Sequence, residues 1–183
     1  MKAKIGGFQG RKLEKGDKIG FRAPKTDLRN LNSRYIAPEF VPRPLYTVRV
    51  VLGPQDDMFT DQGVNTFLTE TYTVTPEFDR MGCRLDGAAI QHKDTGDIIS
   101  DGIAFGAVQV PSSGAPIIML ADRQTTGGYT KIANVITADF RILGQLKAGD
   151  KVRFEKVSIQ QAQDALLTQR AALHNLRRAL REC

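Results

Sequence analysis

The chain has 183 residues, 41% of them hydrophobic and 25% charged, with a net charge of +6. That is enough apolar material for one globular core and too even a mixture for a disordered or low-complexity chain. No apolar run approaches the ~20 residues of a membrane-spanning helix, and the start MKAKIGGFQGRK has no apolar core of the signal-peptide kind, so a soluble cytoplasmic protein is expected.

Strand-like runs rich in β-branched and aromatic residues follow one another along the chain. They are KIGF (18–21), YTVRVVLG (46–53), TYTVT (71–75), AVQV (107–110), PIIML (116–120), KIANVIT (131–137) and KVRFEKV (151–157). Turn signals GPQDD, SSGAP and KAGD lie between them. Residues 24–44 carry four prolines among Asn, Arg and Lys and read as a long irregular connection, since proline cannot donate to a sheet ladder. Two short helices are expected at 61–70 and 138–146, the second capped by Thr137. Many short strands with few helices predict a mainly β fold, a barrel or sandwich.

Residues 158–183 predict an amphipathic helix. Ser158 and Gln161 form a capping box, and Ile159, Leu166, Leu173 and Leu180 recur every seven residues, flanked by Leu167 and Leu176. Either the chain's own barrel or a helix of a partner covers that stripe. LEKGDKIGF (13–21) and LKAGDKVRF (146–154) echo each other, and two independent Gly-Asp corners account for the echo more simply than an internal duplication.

Basic residues are spread along the chain and no tract interleaves them with aromatics, so no nucleic-acid partner is expected and no membrane role either. Cys83 and Cys183 lie in no CxxC pair and are read as free thiols, with no metal site. His92 and His174 stand apart from any Ser or Cys pattern, so no nucleophile–base set can be assembled.

Two polar, glycine-containing stretches remain. LADRQTTGGYTKIA (120–133) reads as a loop between two strands, in which Gly127 and Gly128 permit positive φ and an anion nest. Gln124, Thr125 and Thr126 add neutral hydrogen-bonding groups, and Arg123 and Lys131 add charge. The set suits binding and polarising a carboxylate, an amide or an oxyanion without a nucleophile; the alternative is a hairpin loop that satisfies only its own backbone. In FDRMGCRLDGAAI (78–90), Arg80 and Arg84 could be oriented by Asp79 and Asp86, either for anion recognition or as plain ion pairs.

RMGCRLDG, SDGIAFGAVQVPSSGAPIIMLADRQTTGGYTKIANVITADF and QLKAGDKVRFEKVS resemble the biotin-dependent carboxyltransferase family, also described as allophanate hydrolase subunit 2 and as the C component of 5-oxoprolinase. The resemblance spans about residues 2–158 and the C-terminal half of the family's chain. It implies a cyclophilin-like β-barrel domain over 1–157, followed by the helix at 158–183. It implies the C component, or a fragment of it, of an ATP-dependent 5-oxoprolinase, an amide hydrolase that converts 5-oxoproline to glutamate. The partners would be the A component of that enzyme and a kinase-A-inhibitor-like B component. A carboxyltransferase component of a urea carboxylase system is the alternative, with biotin on a separate carrier because no Ala-Met-Lys-Met run is present; a non-catalytic regulator of the kinase-A-inhibitor-like partner is another. No P-loop occurs in the sequence, so ATP is assigned to a partner or to a site of another kind.

Carried over by motif, Lys131 and Gln124 are the expected catalytic residues. Arg80, Arg123, Thr125, Thr126, Gly127, Gly128 and Tyr129 are expected to bind a small amide substrate. Thr130 stands where the family more often has Pro, and Cys83 where it more often has Tyr. The family's N-terminal Gln-Asp-x-Gly-Arg signature is absent. If that half contributes strands or site residues, activity requires it.

Overall fold

Strand formation is cleanest where the alternation is strictest. In Leu45–Leu52 (β1), Tyr46, Val48 and Val50 are buried and their neighbours are partly exposed, the period of two of a half-buried strand. The computed structural model describes residues 8–20 and 43–182, and the chain divides into two units, Met1–Ala37 and Pro38–Cys183. The further strands of the second unit are Tyr72–Phe78 (β2), Gly82–Asp86 (β3), Asp97–Gly102 (β4), Ala107–Val110 (β5), Ile117–Met119 (β6), Thr126–Val135 (β7) and Lys151–Lys156 (β8).

These strands make the mainly β fold that the sequence predicts, as a closed barrel. Hydrogen-bonded neighbours run β1, β8, β2, β3, β6, β5, β7, and β7 returns to β1 with Val50 opposite Val135 and Leu52 opposite Ala133. β1 and β8 are parallel, while the other pairings are antiparallel. β4 stands outside the ring and pairs with the first half of β7, Asp101 opposite Gly127 and Asp97 opposite Tyr129. Closure hides the ladder edges that an open sheet would present to solvent.

Inside the ring lie Val48, Val50, Tyr72, Val74, Ile118, Ile132 and Phe154. The helix Asp61–Thr69 (α1) adds Phe67, whose ring stacks on Phe154 at 4.3 Å between centroids. Thr60 starts that helix by accepting a hydrogen bond from the Gly63 N–H at 2.9 Å.

Several expectations need correction. β7 begins at Thr126, five residues before the predicted start, because β4 offers it a partner strand that the polar run DIISDG did not suggest. β3 was likewise hidden within a glycine-containing polar stretch. Of the predicted strand at 18–21, residues 18–20 pair with no strand among the described residues and Phe21 lies outside them, as do most of residues 24–44. Thr137 caps no helix: a 3-10 turn, Thr137–Asp139, leads into a single turn of helix, Phe140–Leu143 (α2), with no side-chain cap. Asp139, the residue at that cap position, is diverted to Arg49 of β1. It accepts from the Arg49 backbone N–H at 2.8 Å, from Nε at 3.0 Å and from Nη2 at 2.6 Å.

The echoed segments fold alike. In Glu14–Asp17 and Lys147–Asp150 the last N–H donates to the first carbonyl, and the Asp carboxylate accepts from the first residue's N–H. Gly16 and Gly149 take φ of 99° and 91°, the third-position glycine of a type II turn. The second turn leads into β8, and residues 18–20 after the first lie in no strand.

The last helix, Ile159–Glu182 (α3), has its predicted capping box. Gln161 N–H donates to Ser158 Oγ at 3.1 Å, and Ser158 N–H donates to Gln161 Oε1 at 2.8 Å. Its half-buried residues include Ala162, Ala165, Leu166 and Gln169, and Gln169 Nε2 donates to the Ala138 carbonyl at 3.2 Å. The heptad stripe is therefore only partly covered: Leu166 is half-buried, whereas Ile159, Leu167 and Leu173 remain 60–65% exposed.

Candidate functional site

β5 sends Val108 and Val110 into the main core and Ala107 and Gln109 to the opposite face. On that outer face Ala107 joins Ile103, Ile117 and Met119 in a second, smaller apolar cluster. Gln109 sits directly opposite Lys131 in the β5–β7 ladder, which brings both side chains to the same side.

Both are buried, Gln109 at 4% and Lys131 at 3% exposure. Lys131 Nζ lies 3.0 Å from Asp101 Oδ2 of β4, an ion pair. Gln109 Nε2 lacks a hydrogen-bond partner among the described residues. A buried donor left unsatisfied costs about 1–3 kcal/mol, so Gln109 Nε2, beside a buried ion pair in the barrel wall, needs a reason. The Lys131 ammonium, and after it the Gly102 N–H, hold the Asp101 carboxyl below the usual carboxylate range. Gln55, before α1, bridges the pair: its Oε1 accepts from the Lys131 backbone N–H at 3.1 Å and its Nε2 reaches Asp101 Oδ2 at 3.5 Å.

Gly127 forms the wall beside these groups for a reason other than the expected positive φ, which neither it nor Gly128 adopts. A Cβ on Gly127 would stand 2.7 Å from Ile103 Cδ1 and 3.2 Å from Gln109 Nε2. Gly128 is tight against the Ile98 carbonyl of β4, at 3.2 Å from where its Cβ would be. Both glycines are thus strand residues that permit close packing. The anion nest expected there is replaced by a ladder with β4.

The other predicted residues fall elsewhere. Arg80, in the β2–β3 turn, is exposed and forms a two-point ion pair with Asp122 of the β6–β7 loop, Nε to Oδ2 at 2.6 Å and Nη2 to Oδ1 at 2.8 Å. The orienting role expected of Asp79 and Asp86 thus falls to Asp122 for Arg80 and to Glu77, 2.9 Å away, for Arg84. Arg123 is committed to the backbone, donating from Nε to the Ile103 carbonyl at 2.9 Å and from Nη1 to the Leu120 carbonyl at 3.3 Å. Gln124 and Thr125 are exposed in the loop before β7, and Thr125 presents its carbonyl to the Ile103 N–H. Thr126 and Tyr129 are exposed residues of β7 itself.

His92 braces the opposite side of β7. Its Nε2 lies 3.0 Å from Thr130 Oγ1 and 3.1 Å from the Val110 carbonyl, and its ring packs on Phe59 at 4.6 Å. Burial lowers its pKa, the carbonyl contact opposing the effect only in part. The folded state therefore prefers neutral His92: its contribution is complete above the unfolded value of about 6.5 and is lost as pH falls through that value toward the folded one. Thermal melts should show a fall in Tm from pH 7 to pH 5 that is smaller in His92→Gln; equal falls in both proteins would refute this assignment. Cys83 is a buried free thiol with its pKa pushed up to about 12 by burial, so it offers no thiolate at neutral pH. Cys183 lies outside the described residues. No group of three or more His, Cys, Asp or Glu side chains suited to a metal ion occurs among the described residues.

The family model for the carboxyltransferase domain, subdomain A and B, matches residues 1–156. The chain belongs to this family. It is 37% identical to the C component of 5-oxoprolinase from Haemophilus influenzae across 100% of this chain and 57% of that one. It is 28% identical to urea amidolyase of Lachancea kluyveri over 94% of this chain and 10% of that protein. The crystal structure of the K. lactis urea amidolyase superposes over 76% of this chain and 9% of that one with a TM-score of 0.71 at 22% identity, a likeness of fold. The chain thus spans little more than half the length of its 5-oxoprolinase relative. No helix among the described residues is long and apolar enough to cross a membrane.

Of these groups Lys131 and Gly127 stand out in the sequence, whereas Gln109, Asp101 and Gln55 do not. A signal for Gln109 was available: it is the one polar residue in the otherwise apolar run AVQV, all four of whose residues are buried. Asp101 and Gln55 offered none, since each lies in an ordinary polar turn or edge segment.

Proposed function

We propose that this chain is the C component, or a part of it, of an ATP-dependent 5-oxoprolinase that opens 5-oxoproline to glutamate. The reading rests on the 37% identity that runs the whole length of the chain. It is supported by the buried Lys131 beside Asp101, a preorganised positive group of the kind that stabilises charge on a carbonyl oxygen during amide cleavage. The A component of 5-oxoprolinase and a kinase-A-inhibitor-like B component are the proposed partners, with ATP held outside this chain's Lys131 site. The cytoplasm is the proposed location.

The experiment is reconstitution. ATP-dependent glutamate formation is measured with this chain added to the A and B components, with and without the family's N-terminal half supplied as a separate polypeptide. Glutamate that appears only when this chain is present supports the reading. No glutamate in any combination, despite a stable complex with the B component, would sink it.

The similarity to urea amidolyase favours a second reading, transfer of a carboxyl group from a biotin carrier to urea. The same preparation, given carboxylated biotin carrier and urea in place of ATP and 5-oxoproline, separates the two.

A further inference from the structure

We propose that Gln109 and Asp101, on either side of Lys131, read an uncharged amide group. Its carbonyl oxygen accepts from Gln109 Nε2 and Lys131 Nζ, and its N–H donates to the Asp101 carboxylate.

The first observation is an orphaned donor beside a buried ion pair. Gln109 and Lys131 are more than nine-tenths buried and face the same side of adjacent strands; Gln109 Nε2 has no hydrogen-bond partner among the described residues, and Lys131 Nζ has the Asp101 carboxylate at 3.0 Å. Gln109 Nε2 lacks any acceptor, and the Lys131 ammonium, held by Asp101 on one side, has further N–H groups to give, so what is missing is an oxygen with two lone pairs to share.

The charge balance then selects among oxygens. Lys131 is already matched by Asp101 at 3.0 Å, so the site carries no surplus positive charge with which to hold an anion. A carboxylate placed against Gln109 and Lys131 would also approach Asp101, a like charge. An amide avoids that repulsion and uses the carboxylate as an acceptor for its own N–H.

The wall is Gly127, opposite Asp101 in the β4–β7 ladder, and a single Cβ there would press on Gln109 Nε2 and Ile103. Asp101 is 53% exposed and marks the way in. Gln55 fixes the acceptor by bridging Asp101 to the Lys131 backbone. The assignment deepens the proposed function, on which it rests only for naming the ligand: 5-oxoproline carries its carbonyl and N–H side by side in a lactam ring.

The test is a titration of the 15N-labelled 183-residue chain with 2-pyrrolidinone, with γ-butyrolactone, which has the carbonyl but no N–H, and with acetate, followed by NMR. We expect 2-pyrrolidinone to shift the Gln109 side-chain amide saturably, γ-butyrolactone to bind several-fold more weakly, and acetate to leave that amide unmoved. Gln109→Leu and Gln109→Glu, which remove the donor or turn it into an acceptor, should each weaken 2-pyrrolidinone binding by about tenfold, reported by Gly127. Acetate binding as well as 2-pyrrolidinone, or a Gln109 amide unmoved by 2-pyrrolidinone, would overturn the assignment with no variant needed. The two ideas fail separately. Lactam binding at Gln109 without glutamate formation in the reconstituted system retains this assignment and discards the 5-oxoprolinase reading. Glutamate formation unchanged in Gln109→Leu does the reverse.

Discussion

Replacing Lys131 by methionine is expected to lower ATP-dependent glutamate formation in the reconstituted system by about 10²–10³-fold, the cost of losing one preorganised donor to a developing oxyanion. The fold should survive. Methionine keeps the unbranched apolar stem that packs in the barrel wall and places no charge there. Asp101 loses its partner but is half-exposed and can be hydrated in its place. A thermal melt within a few degrees of the wild type, together with the loss of turnover, is the expected pair of results. Activity retained within threefold would remove Lys131 from the chemistry, and a collapsed melt would make its role structural.

The largest effect on stability is expected at Asp139. It is 2% exposed, accepts three hydrogen bonds from Arg49, and joins β1 to the turn Thr137–Asp139, against which α3 packs. Asp139→Ala leaves the Arg49 backbone N–H without its acceptor and the guanidinium unpaired. Breaking a buried pair costs about 3–5 kcal/mol, and the partial exposure of Arg49 argues for about 2–3. For a domain of this size that corresponds to a fall in Tm on the order of 5–10 °C. Because Gln169 of α3 donates to the neighbouring Ala138 carbonyl, amide exchange in α3 should rise as well. A change in unfolding free energy below ~0.5 kcal/mol would show that the pair contributes little. Asp139→Asn, which keeps one carbonyl oxygen, should fall between the two.

Much of the fold was legible because the signals were local. The alternation of Tyr46, Val48 and Val50 defines a strand wherever it is placed, and the Ser158–Gln161 box closes within one helical turn. The turns Glu14–Asp17 and Lys147–Asp150 likewise need only their own glycine and aspartate. Where local preference was weak, the partner strand decided. TTGGY has glycines that argue for a loop, yet residues 126–129 are strand because β4 lies alongside. Asp139 stands where a helix cap was due but is taken by Arg49, 90 residues earlier in the chain.

The sequence by itself determined a mainly β domain with a capped terminal helix, and a glycine-rich segment with Lys131 as its charge. It could not pair Lys131 with Asp101 and Gln109, which are 30 and 22 positions away and reach it from opposite edges of β7. Nor could it pair Arg80 with Asp122, since Asp79 and Asp86 lie nearer along the chain. Short-range hydrogen bonds fix caps and turns within a few residues, but the site depends on the registers of β4 and β5 against β7. Those registers are set jointly by barrel closure and core packing, so only the tertiary structure decides which polar groups meet.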